Sequence, residues 1–204
     1  MDASNKIDLA EITESVRKYA LAAVSESRYK HSVRVAETCA RLCRHYGLRD
    51  DLGYFCGIAH DICKNMEGDA LLKIASRDGN KIDALEMERP ALLHGRAAAV
   101  KLREDWGIAD ESVLEAVANH TFGKAGMCDL AKILYVSDKI EPGRENVTEE
   151  YTERLLKMDI DSMTRAVVKE SVEYLKGRGK EASAQTKAFY KSLKKKGKKN
   201  ATQI

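Results

Sequence analysis

The chain has 204 residues, 44% hydrophobic and 33% charged, enough for one domain with a real core and too apolar for intrinsic disorder. No stretch approaches ~18 uncharged apolar residues, so no membrane-spanning helix is expected. The net charge of +3 misleads: Lys191, Lys194, Lys195, Lys196, Lys198 and Lys199 lie together near the C-terminus, and taking those six from +3 leaves −3 on the rest, so nucleic acid is not the expected partner.

The opening residues, MDASNKIDLAEITESVRK, lack the apolar stretch of a signal peptide and read directly into a helix marked by Leu9, Ile12, Val16, Ala20 and Val24. Val35, Cys39, Leu42 and Tyr46 mark a second helix, which Gly47 ends as a left-handed cap. Leu52, Phe55, Cys56 and Ala59 form a third, running into His60-Asp61. Pro90 opens the next, which carries Leu93, Ala97 and Val100 and stops at Gly107. Asp110 caps a helix whose apolar side holds Val113, Leu114 and Val117. Leu130, Ile133, Leu134 and Ser137 lead along another helix to Asp138. Thr148 starts a helix through Tyr151 and Leu155. A restart near Asp161 carries Met163, Val167 and Tyr174 to the KGRGK segment, and a short helix covers Ala182 to Leu193. The pattern predicts one all-α domain over residues 1–190, followed by a lysine-rich, disordered tail over 191–204. The five cysteines contain no C-x-x-C pair and read as reduced thiols of a cytoplasmic protein.

The chemistry concentrates in the histidines. His31 lies four residues before Val35 on the core-facing stripe of its helix, His94 follows Leu93, and His120 ends the helix of Val113 and Val117. One such histidine alone is ordinarily a hydrogen-bonded core residue. Three of them, with the adjacent His60-Asp61 pair and with Asp138, form a set whose burial requires ion pairing or metal. Four imidazoles and two carboxylates suit iron, manganese or zinc better than magnesium, which prefers oxygen donors. His45, in the last turn of its helix, Trp106, beside Gly107, and Cys56 and Cys63, flanking the His-Asp pair, read as structural.

The ordered pattern His31, His60-Asp61, His94, His120, Asp138 resembles the HD-domain phosphohydrolase superfamily. The strings GIAHDICK (57–64), LLHG (92–95), ANHTFG (118–123) and ILYVSDKIEPGR (133–144) are similar to the YqeK-type symmetrical diadenosine tetraphosphate hydrolases, over about residues 20–190. The resemblance implies an HD-domain helical bundle with two divalent ions, iron first and manganese or zinc as alternatives. One ion would be held by His31, His60, Asp61 and Asp138, and the other by His94, His120 and the same Asp61 as a bridge. It implies catalytic roles for Asp61 and Lys64, with His31, Asp61 and Asp138 also lining the substrate. Arg28, Lys64 and Arg144 stand at phosphate-binding positions, and Ala182, Ser183, Gln185 and Thr186 at the position of a nucleotide-contacting segment. Two departures occur: Ser137 replaces the usual alanine before the last aspartate, and EASAQTKAFY ends in Phe189-Tyr190 rather than Tyr-Asn.

The implied reaction is attack of metal-bound hydroxide on a central phosphorus of diadenosine tetraphosphate, releasing two ADP, by an enzyme that family analogy makes a homodimer. Other HD phosphohydrolases act on mononucleotides or alarmones. One-metal members need only His31, His60-Asp61 and Asp138, so His94 and His120 argue for the second ion. A catalytically silent nucleotide sensor is the reading from another class, and the presence of Lys64 and Arg144 argues against it.

Overall fold

The computed structural model describes residues 8–193, and among them every regular element is a helix. Helix α1 (Leu9–Ala23) starts on Asp8, whose side chain accepts from the Ala10 amide, and α2 (Glu26–His45) starts on Ser25 in the same way. Val24, predicted inside the first helix, is an extended residue between the two, because Ser25 nucleates the next turn. Next come α3 (Asp50–Ala59), α6 (His94–Trp106), α7 (Glu111–Asn119) and α8 (Asp129–Ile140). They are followed by α9 (Glu149–Leu156), α10 (Ile160–Gly177) and α11 (Ala184–Ser192). Gly47 and Gly107 do stop their helices with positive φ, at +71° and +66°.

Between α3 and α6 the chain forms two further helices, the first with Leu71, Ile74 and Ala75 at helical spacing. Helix α4 (Gly68–Ala75) buries only Leu71 and Ala75, and α5 (Ala84–Glu88) is a short helix fixed by a reciprocal Asp83/Glu86 capping box. Pro90 opens a 3₁₀ turn (Pro90–Leu93) rather than the α-helix itself, which begins at His94. The predicted restart near Asp161 falls at Asp159, the N-cap of α10. At the C-terminal end α11 continues past residue 190, and Leu193 is buried. The expected disordered tail, from Lys194 onward, lies outside the described residues.

Two glycine contacts decide how the helices deliver the histidines. Helix α2 packs along α3, and a Cβ on Gly57 would lie 2.3 Å from the Ala36 Cα, so the backbones touch there. His31 and His60 lie on either side of that contact with ring centroids 5.4 Å apart. Helix α6 packs on α7, and a Cβ on Gly95 would meet the Val117 carbonyl oxygen at 2.9 Å and the His120 ring at 3.0 Å. That approach sets the His94 and His120 rings 4.9 Å apart. Helix α8 packs against α2, α7 and α10, burying Ile133, Leu134 and Val136, and carries Asp138 to the same place. Ser137, fully buried, donates its hydroxyl to the Ile133 carbonyl at 2.8 Å, which accommodates a polar group where alanine is usual.

Candidate metal centre

His60 and His120 are the C-caps of α3 and α7, and His94 ends the 3₁₀ turn that opens α6. At each, Nδ1 lies on the carbonyl oxygen three residues earlier, at 2.7 Å for Gly57, 2.7 Å for Ala91 and 2.8 Å for Val117. A carbonyl only accepts, so Nδ1 holds the ring proton and Nε2 presents a lone pair, a tautomer assigned from the partner. His31, in the body of α2, has Nδ1 3.1 Å from Glu141 Oε1, which imposes the same tautomer.

All four Nε2 atoms face Asp61 and Asp138. His31 Nε2 is 3.1 Å from Asp138 Oδ1, and His60 Nε2 is 4.0 Å from that oxygen and 3.6 Å from Asp61 Oδ2. On the other side His94 and His120 Nε2 lie 3.1 and 3.6 Å from Asp61 Oδ1, and 3.0 Å from each other. Lone pairs thus crowd lone pairs in a buried space, which is unfavourable unless cations lie between them. His31 Nε2 and His60 Nε2 are buried with no hydrogen-bond partner; the 3.1 Å approach of His31 to Asp138 lacks hydrogen-bond alignment. Two triplets, His31/His60/Asp138 and His60/Asp61/His120, each bring three donor atoms within 4.8 Å of one another. The donors fit transition-metal ions in number, softness and reach.

Burial pushes the His60 imidazole down to about 4 and lowers His94 too, so both are neutral near pH 7, as ligands must be. Burial alone would raise Asp61 and Asp138. At the acid pH where these carboxyls titrate, the charged form of the imidazoles around Asp61 outweighs it, as does Lys139 beside Asp138, and both carboxyls are held well below the usual range.

A basic rim surrounds the cluster. Arg28 Nη1 donates to Asp61 Oδ2 at 3.2 Å while the side chain stays 39% exposed. Lys64 Nζ is 3.0 Å from His94 Nε2 and 3.8 Å from Asp61 Oδ1, and burial lowers its pKa. Arg144 Nη2 donates to Asp138, at 3.0 Å to Oδ1 and 2.6 Å to the carbonyl. Two surface clefts, of about 480 and 440 Å³, lie elsewhere, beside Arg17 and Tyr54 and beside Arg96 and Glu115.

The structure therefore brings together His31, His60, Asp61, His94, His120 and Asp138, with Arg28, Lys64 and Arg144 against them. The C-terminal residues stand apart. Ser183 caps α11, Ala182 is buried, Thr186 Oγ1 donates to the Phe122 carbonyl at 3.0 Å, and Gln185 Nε2 donates to the Gly123 carbonyl at 2.7 Å. Their hydrogen bonds brace the loop after His120 rather than reaching the cluster.

Sequence reasoning missed Lys139, Thr121, Arg34 and Glu141. Lys139 Nζ bridges Asp138 Oδ2 at 3.0 Å and the His120 carbonyl at 3.1 Å, and Thr121 Oγ1 is 3.4 Å from both His94 and His120 Nε2. These two directly succeed Asp138 and His120 in the chain, and that adjacency was the available signal. Glu141 stands just past a helix end, where a surface position is the ordinary expectation, yet it is 2% exposed. The residues read as structural behave so: His45 Nε2 lies 2.9 Å from the Leu156 carbonyl, and Trp106 packs edge-on against Tyr19.

The HD domain family matches residues 28–143. The chain belongs to the HD-domain family, whose members are metal-dependent. Within it, the chain is 34% identical over 133 residues to a symmetrical bis(5'-nucleosyl)-tetraphosphatase of Staphylococcus aureus, covering 64% of this chain and 67% of the relative. A protein of the same name from Bacillus subtilis is 29% identical over 163 residues, covering 78% and 87%. A crystal structure from Clostridium acetobutylicum, described as a predicted HD superfamily hydrolase involved in NAD metabolism, superposes with a TM-score of 0.80 at 28% identity, covering 88% of this chain and 95% of the other.

Proposed function

We propose that this chain is a metal-dependent symmetrical dinucleoside tetraphosphatase that cleaves diadenosine tetraphosphate into two ADP. The observation that carries the reading is the cluster of four inward lone pairs around Asp61 and Asp138, in a chain whose curated relatives bear that activity in their names. His31, His60, Asp61 and Asp138 would hold one ion, and His94 and His120 the second, with Asp61 shared. The division of Asp61 supports the sharing, since Oδ2 faces His60 and Oδ1 faces His94 and His120. When bound, such a pair activates water as a nucleophile and offsets charge on the phosphoryl group. Iron is the preferred identity, with manganese and zinc as alternatives.

The chain's own residues do the rest. Arg28 and Lys64 flank Asp61, and Arg144 and Lys139 pair with Asp138, so cations stand against the donors that a bound polyphosphate would meet. Guanidinium groups pair with phosphate oxygens through two parallel hydrogen bonds, and the ammonium of Lys64 adds a point charge. Together they hold one nucleoside diphosphate as a unit and neutralise it as it leaves. Lys64, less exposed than Arg28 and Arg144, acts where burial strengthens the pull of its charge, while the two arginines reach from the solvent side. No described helix is long and apolar enough to cross a membrane, and all five cysteines are free thiols, which accords with a reducing cytoplasm.

The test is product analysis in heavy-oxygen water with the iron- or manganese-loaded chain. Diadenosine tetraphosphate should yield ADP as sole nucleotide, with label in one of the two ADP molecules per turnover. Formation of AMP and ATP would place the attack one phosphate away and overturn the symmetrical assignment.

A further inference from the structure

We infer that Glu141, gripped by Arg34 and seated against Gly143, is the positioning residue for His31, fixing which imidazole nitrogen faces the metal centre. The inference rests on the reading of the cluster as a metal site. It begins with a difference in backbone context. His60, His94 and His120 sit at helix or turn ends and use the carbonyl three residues back. His31 lies inside α2, where the preceding carbonyls are engaged by the helix's own amides. Its Nδ1–H needs an acceptor from another element, and Glu141, just past the end of α8, supplies it.

Every group against the Glu141 carboxylate is a donor. Oε1 accepts from His31 Nδ1 at 3.1 Å and Arg34 Nη2 at 3.3 Å, while Oε2 accepts from Arg34 Nε at 2.5 Å and from the Gly143 amide at 2.6 Å. Arg144 Nε stands 3.7 Å from Oε1. An ionised carboxylate is an acceptor only, so it matches this shell, whereas an amide would turn two N–H donors toward other donors. Gly143 completes the device: a Cβ there would lie 2.4 Å from Arg34 Nε and 2.5 Å from its Cζ. The guanidinium therefore lies flat on the glycine backbone, and a side chain at 143 would lift it off Glu141. The far end of this network is a ring nitrogen whose partner nitrogen faces Asp138 at 3.1 Å. Outer-sphere partners of this kind orient a ligand and raise its basicity.

The experiment titrates the metal-free full chain with manganese, comparing wild type with Glu141→Gln, Gly143→Ala and a control, Tyr46→Phe. The control removes the half-buried hydrogen bond from Tyr46 to the Met158 carbonyl, 2.9 Å long, at the far end of the same helix. Glu141→Gln and Gly143→Ala should each weaken one of two binding steps by about 10–100-fold and leave the other unchanged, with the helical circular dichroism preserved. Tyr46→Phe should lower the Tm and leave both steps alone. Nitrogen NMR shifts of His31 in the metal-free chain should show the Nδ1–H tautomer in wild type and a mixture of tautomers in both variants. Gly143→Ala replaces none of the hydrogen-bonding groups, so it tests the idea even if Glu141→Gln does not fold. Unchanged binding and tautomer in the variants, or an equal loss in Tyr46→Phe, would overturn the inference. A wild-type chain that binds no metal would sink the site reading and this inference together, whereas failure to form ADP would leave the titration result intact.

Discussion

The cluster aims its four imidazoles by two different means, one at three of the rings and another at His31. At His60, His94 and His120 the orienting acceptor is a backbone carbonyl three residues earlier, neutral and built into the same turn. At His31 it is a buried carboxylate 110 positions away, itself held by an arginine. The first device folds with its own helix end and needs nothing else in place. The second exists only when α2 and the end of α8 have docked, so geometry at His31 depends on tertiary structure. Asp61 stands between the two proposed donor sets, with Oδ2 toward His60, which shares His31's set but is aimed locally, and Oδ1 toward His94 and His120.

The largest expected effect removes that join. Asp61→Ala leaves the donors on both sides without their shared carboxylate, and should cost several kcal/mol of transition-state stabilisation, about a thousandfold or more in kcat. Metal content should fall with it while the helical spectrum stays. Near-normal turnover would mean that the two sides do not act through a common group.

The next pair of variants asks whether the sides are separable. His94→Ala and His31→Ala should each reduce bound metal from about two ions per chain to about one, with activity lowered by about 100-fold or more, since even outer-sphere losses reach about 10–100-fold. The two variants should differ in stability. His94→Ala removes a ring whose proton goes to a local carbonyl, and the Tm of the metal-free chain should change little. His31→Ala leaves Glu141 and Arg34 facing an empty position across helices, and should lower that Tm. Equal changes in Tm would erase the distinction.

The same contrast explains what the sequence disclosed. Helix starts at Asp110 and Thr148, and stops at Gly47 and Gly107, were legible because each signal acts on its neighbours. The six donors were legible because histidines and aspartates at buried helix positions require an unusual reason to be there. Helix α4 was legible in the spacing of Leu71, Ile74 and Ala75 although it is only eight residues long, whereas α5 is held by a capping box rather than by an apolar stripe. Pro90 marked a real boundary, but its ring suited the tighter 3₁₀ turn, and that turn is what lets the Ala91 carbonyl meet His94. Glu141 escaped for the opposite reason: nothing near it in sequence reveals the partner, and IEPGR alone does not say that its glutamate is buried. Ala182, Ser183, Gln185 and Thr186 were legible as a segment of consequence, but their hydrogen bonds run to the loop of residues 121–123.

A pH experiment sharpens the comparison further. In the metal-free chain burial lowers His60 to about 4, against about 6.5 unfolded, so the unfolded state binds the extra proton first as pH falls. Stability should be at its plateau above about pH 6.5 and decline between about 6.5 and 4, by about 2 kcal/mol at pH 5 from His60 alone. Urea unfolding of the metal-free chain at pH 7 and pH 5 measures this, and His60→Asn should remove most of the difference. A flat profile in the wild type would mean that the rings are not buried as neutral ligands.

The smallest effect tests whether the local side is wholly local. Thr186 and Gln185 reach more than 60 positions back to the carbonyls of Phe122 and Gly123, directly after His120. If the His120 ring is aimed by the Val117 carbonyl alone, this brace supports the loop without touching the metal. Thr186→Val keeps the shape and removes the 3.0 Å bond to Phe122, at a cost of about 1 kcal/mol. For a chain of this size that lowers the Tm by about 2–4 °C. Both manganese-binding steps should stay within about twofold of wild type, because the proton on His120 Nδ1 still goes to Val117 at 2.8 Å. A selective loss of one step would show that α11 aims His120 just as Glu141 aims His31, and the two sides would then differ in the chemistry of the brace rather than in its reach.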